Sequence, residues 1–263
     1  MKSIKIDLPE DWPHVHLYVL ADLHIGDPLC DEREIDRRID IIKRDPYAVV
    51  ILNGDIMNTA TRTGVSDVYG EVLSPMQQVD HMVKLLTPIK DKLIAADTGN
   101  HESRIYKDSG IDTMAFACRE LGIYDRYCGE GVLVFIRFGR KPGHGRHRDQ
   151  SQRQWYSVYA THGSGGGRKE GAKAIRLADM ACVVSADVYI HSHTHTPMAF
   201  PLNHYRSDPN TCSAKEVSAL HVNTDATLAY GGYGQRGEFK PAARCFYQIV
   251  LTSGHKHAYC VPV

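Results

Sequence analysis

The stretch from Val15 to His24 reads VHLYVLADLH. Val15–Ala21 is apolar and β-favouring enough to read as a buried strand, and it runs directly into Asp22 and His24. The same event recurs twice downstream. Ala48–Leu52 runs into Asn53-Gly54-Asp55, and Leu93–Asp97 runs into Thr98-Gly99-Asn100-His101-Glu102. The segments between these strands have helical spacing. Asp31–Lys43 carries Ile35, Ile39 and Ile42 on one face. Ser74–Lys92 opens with Ser74 as N-cap and Pro75 at the first helical position, and Pro88 ends or kinks it. Ile111–Leu121 is a third helix, stopped by Gly122. Strand, helix, strand, helix, strand implies parallel pairing.

Beyond residue 130 the pattern changes. Gly131–Phe138 and Trp155–Ala160 are strand-like and joined by a long polar loop. Lys169–Val184 is helical and is followed by a short strand at Asp187–His191. Glu216–Asn223, Ala243–Leu251 and Lys256–Val261 form a mainly antiparallel tail. No repeat, heptad or Pro/Ser-rich linker divides the chain. The expectation is one α/β domain over residues 1–263, a two-sheet sandwich with a parallel βαβ core and antiparallel C-terminal strands.

Composition fits that expectation. The chain has 263 residues, 43% hydrophobic and 24% charged, enough to bury a full core and too apolar for a disordered chain. Lys+Arg and Asp+Glu are each 31, so a generic polyanion binder is not indicated. Charged residues and Pro9 interrupt the N-terminal region where a signal core would sit. No apolar window is long enough to span a bilayer, so no membrane association is expected. The seven cysteines are scattered, odd in number and never spaced C-x-x-C, which fits a reducing cytoplasm and argues against a zinc-finger framework.

The 15 histidines point to a site. Five strand ends carry candidate ligands: Asp22 and His24, Asp55, Asn100 and His101, His162, and the string His191-Ser192-His193-Thr194-His195. Ligands in open α/β sheets bind at the carboxyl ends of strands, so these distant segments describe one site. Carboxylates, an amide oxygen and neutral imidazoles suit divalent Mn, Fe or Zn. Seven ligand positions exceed the needs of one ion and suit two ions sharing a carboxylate, an arrangement that clamps both oxygens of an in-line displacement at phosphorus.

The ordered series DLH, NGD, GNHE, THG and HTH, spanning residues 22 to 195, resembles the calcineurin-like metallophosphoesterase superfamily. The resemblance implies a dinuclear phosphoesterase in which a metal-bound hydroxide attacks phosphorus in line. It implies that Asp22, His24 and His195 hold one ion, that Asn100, His162 and His193 hold the other, and that Asp55 bridges them. It gives His101 the role of binding the phosphate or protonating the leaving oxygen. Two divalent ions per chain are implied, manganese first among Mn, Fe, Zn and Ni. Ser192 departs from the family's usual Gly, and His191 extends the motif to H-x-H-x-H, of which His193 and His195 match the family's pair. SDVYGE (residues 66–71) and THGSGGGRKEGAK (residues 161–173) are similar to a branch common in phages and prophages.

Other features bear on the substrate. The segment Arg137–Arg153, RFGRKPGHGRHRDQSQR, is a basic loop insertion. Its bland reading is a solvated hairpin tip. Its sharper reading is a phosphate-tracking arm, which favours a phosphodiester substrate and nucleic acid in particular. Gly163–Gly167 is either an anion cradle or a turn that lets His162 approach the metal. Thr59–Gly70 follows Asp55 at the rim, where Arg62, Tyr69 and Arg104 are candidate substrate contacts alongside Asn100 and His101. Residues after Pro197 offer a dimer contact or a lid, and the Gly-rich stretch 231–244 carries no functional reading. The competing functions are a phosphomonoesterase or protein phosphatase, a zinc amidohydrolase, and a non-catalytic binding module. An amidohydrolase would place H-x-H at the first strand, where Asp22-Leu23-His24 stands instead, and a degenerate module would have lost ligands.

Overall fold

The computed structural model describes residues 1–62, 64, 66–139 and 154–263. Residues 140–153, most of the basic run, lie outside the described residues. Its first cation, Arg137, is paired with Asp7 and lies 5.0 Å from the Trp155 ring centre.

The described strands make two sheets. Five of them, β2 (His14–Leu20), β3 (Ala48–Asn53), β4 (Leu93–Asp97), β10 (Tyr247–Thr252) and β11 (Ala258–Pro262), lie in the order β11-β10-β2-β3-β4. Within this sheet β2, β3 and β4 are parallel, and β10 is antiparallel to both β2 and β11. The other sheet holds β1 (Lys2–Asp7), β5 (Val132–Arg137), β6 (Trp155–Thr161), β7 (Val188–His191), β8 (Met198–Asp208) and β9 (Ser213–Asn223), in the order β1-β5-β6-β7-β9-β8. The expected two-sheet α/β sandwich is therefore the observed fold.

Alternation along the strands explains the stacking. Val15, Leu17 and Val19 of β2 and Val49 and Ile51 of β3 share one core with Val132, Val134 and Ile136 of β5 and Val158, Val188 and Val222 of the facing sheet. The intervening residues Tyr18, Leu20, Val50 and Leu52 turn to the other side, against helices α1 (Glu32–Arg44), α2 (Pro75–Leu86) and α4 (Thr113–Glu120). β3 is covered on both faces, and this accounts for its unbroken apolar run. Helix α5 (Glu170–Asp179) packs Leu177 on the outer face of the six-stranded sheet.

Local chemistry sets the helix ends. Asp31 caps α1 through Glu34 N–H, and Ser74 with Gln77 forms a capping box on α2. Helix α2 stops at Leu86, and Thr87–Lys92 tightens into a 3₁₀ turn around Pro88.

Three elements depart from the sequence reading. β1 is an edge strand in which Ile4 and Ile6 pack inward between charged residues. β8 is exposed along most of its length and is made a strand by its eleven-residue register with β9, with Pro201 tolerated at the sheet edge. Helix α3 (Asn100–Ser109) has almost no apolar face. Its N-terminus is instead held by Glu102, whose carboxylate accepts from Gly99 N–H at 3.0 Å. No helix among the described residues is long and apolar enough to cross a membrane.

Candidate metal centre

The strands deliver their polar ends to one edge of the sandwich. After β2 the chain turns through Asp22 and His24 in left-handed conformation (φ 51° and 53°), while Leu23 between them is fully buried. Asp22 and His24 N–H donate to the carbonyls of Gly54 and Asp55, each at 3.1 Å, so the turn after β2 is laced to the turn after β3. Asp55 (φ 51°), His193 (63°) and His195 (51°) are left-handed as well.

Two groups of donor atoms result. Asp22, His24 and His195 form the first, with His195 Nε2 3.1 Å from Asp22 Oδ1 and 3.3 Å from His24 Nε2. Asp55, His162 and His193 form the second, with His162 Nε2 3.1 Å from Asp55 Oδ2. Within each group the donor atoms lie within 4.8 Å of one another. A third combination, His24 with Asp55 and His101, links them. Asn100 joins the second group, its amide oxygen 3.2 Å from His162 Nε2. That inner amide atom also faces Asp55 Oδ2 and His193 Nδ1, neither of which donates to it as oxygen. An amide oxygen aimed at acceptor atoms suits a cation ligand. The reversed amide would instead donate inward and accept from Arg104 Nη2 at 3.2 Å. Carboxylates, an amide and imidazoles fit divalent first-row ions.

The imidazoles are oriented from behind. His162 Nδ1 lies 2.8 Å from the Asn53 carbonyl and His101 Nδ1 lies 2.7 Å from the Asn58 carbonyl. Carbonyls accept, so both rings carry their proton on Nδ1 and turn Nε2 to the site. Electrostatics separates the candidate ligands. Burial opposes charge on His162, but the Asp55 carboxylate overrides it and lifts the ring to about 10. Burial and the neighbouring His162 push His193 down to about 4. Burial works against the Asp22 carboxylate, yet His195 beside it holds its pKa below the ordinary value. Protons on His162 and His195 are thus the ones a cation would displace.

Residues 15–197 match the family of calcineurin-like phosphoesterases. The chain belongs to that family. It is accordingly a metal-dependent phosphoesterase, acting on phosphate esters. No curated protein matches it in sequence. Among solved structures it is similar to Vps29 of Cryptosporidium parvum (13% identity, 95% of this chain and 98% of that one, TM-score 0.47). It is also similar to a conserved uncharacterized protein of Streptococcus pneumoniae TIGR4 described as a predicted phosphoesterase (12%, 95% and 98%, TM-score 0.37). A metallophosphoesterase of Sphaerobacter thermophilus is a third (9%, 95% and 88%, TM-score 0.41).

In this phosphoesterase Ser192 carries no left-handed strain. It is fully buried and accepts from Asn53 Nδ2 at 2.6 Å. His191 lies outside both donor groups, with Nδ1 2.9 Å from Asn223 Oδ1. Lys173 braces the turn between His193 and His195 by donating to the Thr194 carbonyl at 3.2 Å. Glu102 clamps Asp55 from below, accepting from Asp55 N–H at 3.0 Å and Met57 N–H at 2.9 Å. Burial, then the charge on Asp55, lifts its carboxyl to about 7.

Arg104 stands against His101, Nη2 3.2 Å from Nε2. Arg62 is exposed, and Tyr69 is 84% exposed on the segment before α2. The Gly-rich stretch 231–244 packs beside the segment after His162: Lys240 pairs with Glu170 at 2.8 Å and Arg168 lies 5.1 Å from the Phe239 ring centre. Sequence reasoning did not find the supporting residues Asn53, Asn58 and Asn223. Asn58 and Asn223 stand in no motif, and in NGD the candidate ligand is Asp55 rather than Asn53.

Proposed function

We propose that the site is a dinuclear centre hydrolysing phosphodiesters, with Asp22, His24 and His195 on one cation, Asn100, His162 and His193 on the other, and Asp55 shared. The observation that carries this reading is the pair of donor groups, each within 4.8 Å, with Asp55 belonging to one and adjoining the other through His24 and His101. The whole chain is read as one domain serving this site. Manganese is the ion we favour; the donor set also accommodates Fe, Zn or Ni. Bound there, two divalent ions supply Lewis acidity at phosphorus and lower the pKa of water.

The chain's own residues do the rest. His101 presents Nε2 to the substrate space, 3.7 Å from Asp55 Oδ2. Burial lowers its pKa, the Asp55 carboxylate opposing and Arg104 reinforcing that shift. A phosphate anion arriving beside it raises its proton affinity, so that Nε2 takes up a proton from solvent and passes that proton to the leaving oxygen. Arg104 neutralises phosphate charge at the same place, and Arg62 and Tyr69 contact the remainder of the substrate. Nucleic acid is the favoured diester because of the six Lys/Arg residues between Arg137 and Arg153.

The test is hydrolysis of a bis-aryl phosphodiester and an aryl phosphomonoester by chelated protein reloaded with Mn. The expected result is diester preference, abolished by chelation and restored by Mn. Monoester preference would overturn the diester assignment. Binding of fewer than two ions per chain would overturn the dinuclear one.

A further inference from the structure

The segment Ser66–Glu71, SDVYGE, touches none of the donor atoms, yet its last residue reaches towards them. We propose that Glu71 is a positioning residue that fixes which nitrogen of His24 carries the ring proton, by dictating the orientation of the Asn58 amide. This rests on reading Asp22, His24 and His195 as a cation site.

The logic is one of donors and acceptors. Asn58 Nδ2 donates to Glu71 Oε1, and Gln78 Nε2 donates to Glu71 Oε2. An ionised carboxylate only accepts, so each amide must turn its NH₂ towards Glu71 and its oxygen away. The freed oxygen of Asn58 then stands 3.2 Å from His24 Nδ1. An acceptor at Nδ1 keeps the ring proton there and leaves the Nε2 lone pair for the site, where it points at His195 Nε2 3.3 Å away. The freed oxygen of Gln78 accepts from Thr59 N–H at 2.8 Å. Thr59 is itself left-handed (φ 40°), and its hydroxyl donates to the His101 carbonyl at 2.6 Å. One carboxylate therefore sets two buried amides, that of Asn58 directly behind the His24 ring and that of Gln78 against Thr59, which bonds the His101 backbone. Asp27 Oδ2 (3.3 Å from Asn58 Nδ2) and the Leu73 carbonyl (2.9 Å from Gln78 Nε2) favour the same orientation, so losing Glu71 weakens the arrangement rather than abolishing it.

A merely structural Glu71 would tie residues 66–71 to α2 and leave the imidazole unaffected. ¹⁵N-imidazole NMR of the metal-free protein separates the two roles. In the wild-type chain His24 is expected as the Nδ1–H tautomer. In Glu71→Leu, checked for fold by thermal melting, a mixture with Nε2–H is expected. One of two stepwise Mn(II) affinities should fall by about 10- to 100-fold, the range for groups that orient metal ligands. Asn58→Asp added to Glu71→Leu restores both, because a carboxylate offers His24 an acceptor in either orientation. An Nε2–H tautomer in wild type overturns the proposal whether or not the variants fold. So does a folded Glu71→Leu with unchanged tautomer and affinities. Failure of the dinuclear reading shows separately, as fewer than two ions bound by wild type, and the tautomer of His24 still decides the role of Glu71.

Discussion

Replacing Gly99 with Ala tests how tightly the turn after β4 is fitted to Asp55. Gly99 has φ −90° and ψ −176°, extended backbone that alanine adopts without penalty, so any effect comes from space alone. A Cβ built there lies 2.0 Å from Asp55 Oδ1 and 2.4 Å from Asp55 N. Ordinary contacts begin near ~3.5 Å, so Asp55 and this turn must separate by about 1 Å. They cannot part freely. Glu102 Oε2 accepts from both Gly99 N–H and Asp55 N–H at 3.0 Å, and Asp55 Oδ1 accepts from His101 N–H at 2.8 Å. A misplacement of ~1 Å in a catalytic constellation costs on the order of 10²-fold in rate, and overpacking costs about 1–3 kcal/mol in stability. The assay is kcat on a bis-aryl phosphodiester with Mn, together with metal content and thermal melting. Gly171→Ala is the control: that glycine has open space around its Cβ and lies within α5, so activity should hold and stability should rise by about 0.5–1 kcal/mol. A Gly99→Ala enzyme with wild-type kcat and two bound ions would refute the close fit.

Asp55→Asn removes the charge proposed to be shared, and metal analysis should find one ion or fewer per chain. His101→Ala should keep the metal content of the wild-type chain while kcat falls by roughly 10²-fold. Asp225→Asn acts on stability. Arg38 is 1% exposed and donates to both Asp225 oxygens (2.9 and 2.7 Å), so half-unpairing it should cost about 3–5 kcal/mol and lower Tm by roughly 10 °C in a melting experiment. Glu34 supplies a pH dependence. Hydrogen bonds from Arg37 and then Arg38 depress its carboxyl to about 2, below its ordinary 4.5. A depressed carboxyl stabilises the fold above its unfolded value and ceases to do so as pH falls through 4.5 towards 2. Glu34→Gln should therefore flatten that part of the acid limb in urea titrations.

What the sequence made legible follows from how strongly each residue is patterned. β2, β3 and β4 are buried on both faces or nearly so, and their apolar runs give both the strands and their ends. Asp22, His24, Asp55, Asn100 and His101 follow those ends, so reading the strands drew attention to these candidates. Helix α3 was not legible, because its stability rests on Glu102 capping and on contacts around Asp55 rather than on an apolar stripe. β8 was not legible because its pairing with β9, and not its own burial, makes it a strand. The supporting roles of Asn53, Asn58 and Glu71 were hidden for a further reason, although NGD and SDVYGE contain two of these residues. A side chain that orients a ligand through one hydrogen bond can come from any nearby segment, so no fixed spacing marks it.

The left-handed ligands show why D-x-H and H-x-H recur as pairs separated by one residue. Five of the eight non-glycine residues with positive φ among the described residues are Asp22, His24, Asp55, His193 and His195. Each such conformation costs about 1–2 kcal/mol, so together they approach the net stability of an ordinary domain. The cost is tolerable only where neighbours leave no alternative. Between the first pair, Leu23 is anchored in the core with no exposure. After it, Ile25 is equally buried and donates its N–H to the Ile56 carbonyl at 2.9 Å. Between the second pair, the Thr194 hydroxyl accepts from Asn223 at 2.9 Å, and its carbonyl accepts from Lys173. The residue between two candidate ligands thus serves as the anchor and the candidate ligands serve as the strained positions. That division of labour requires one intervening residue in each pair. The packing of Leu23 and the hydrogen bonds of Thr194 therefore bear on the donor atoms of the residues that flank them.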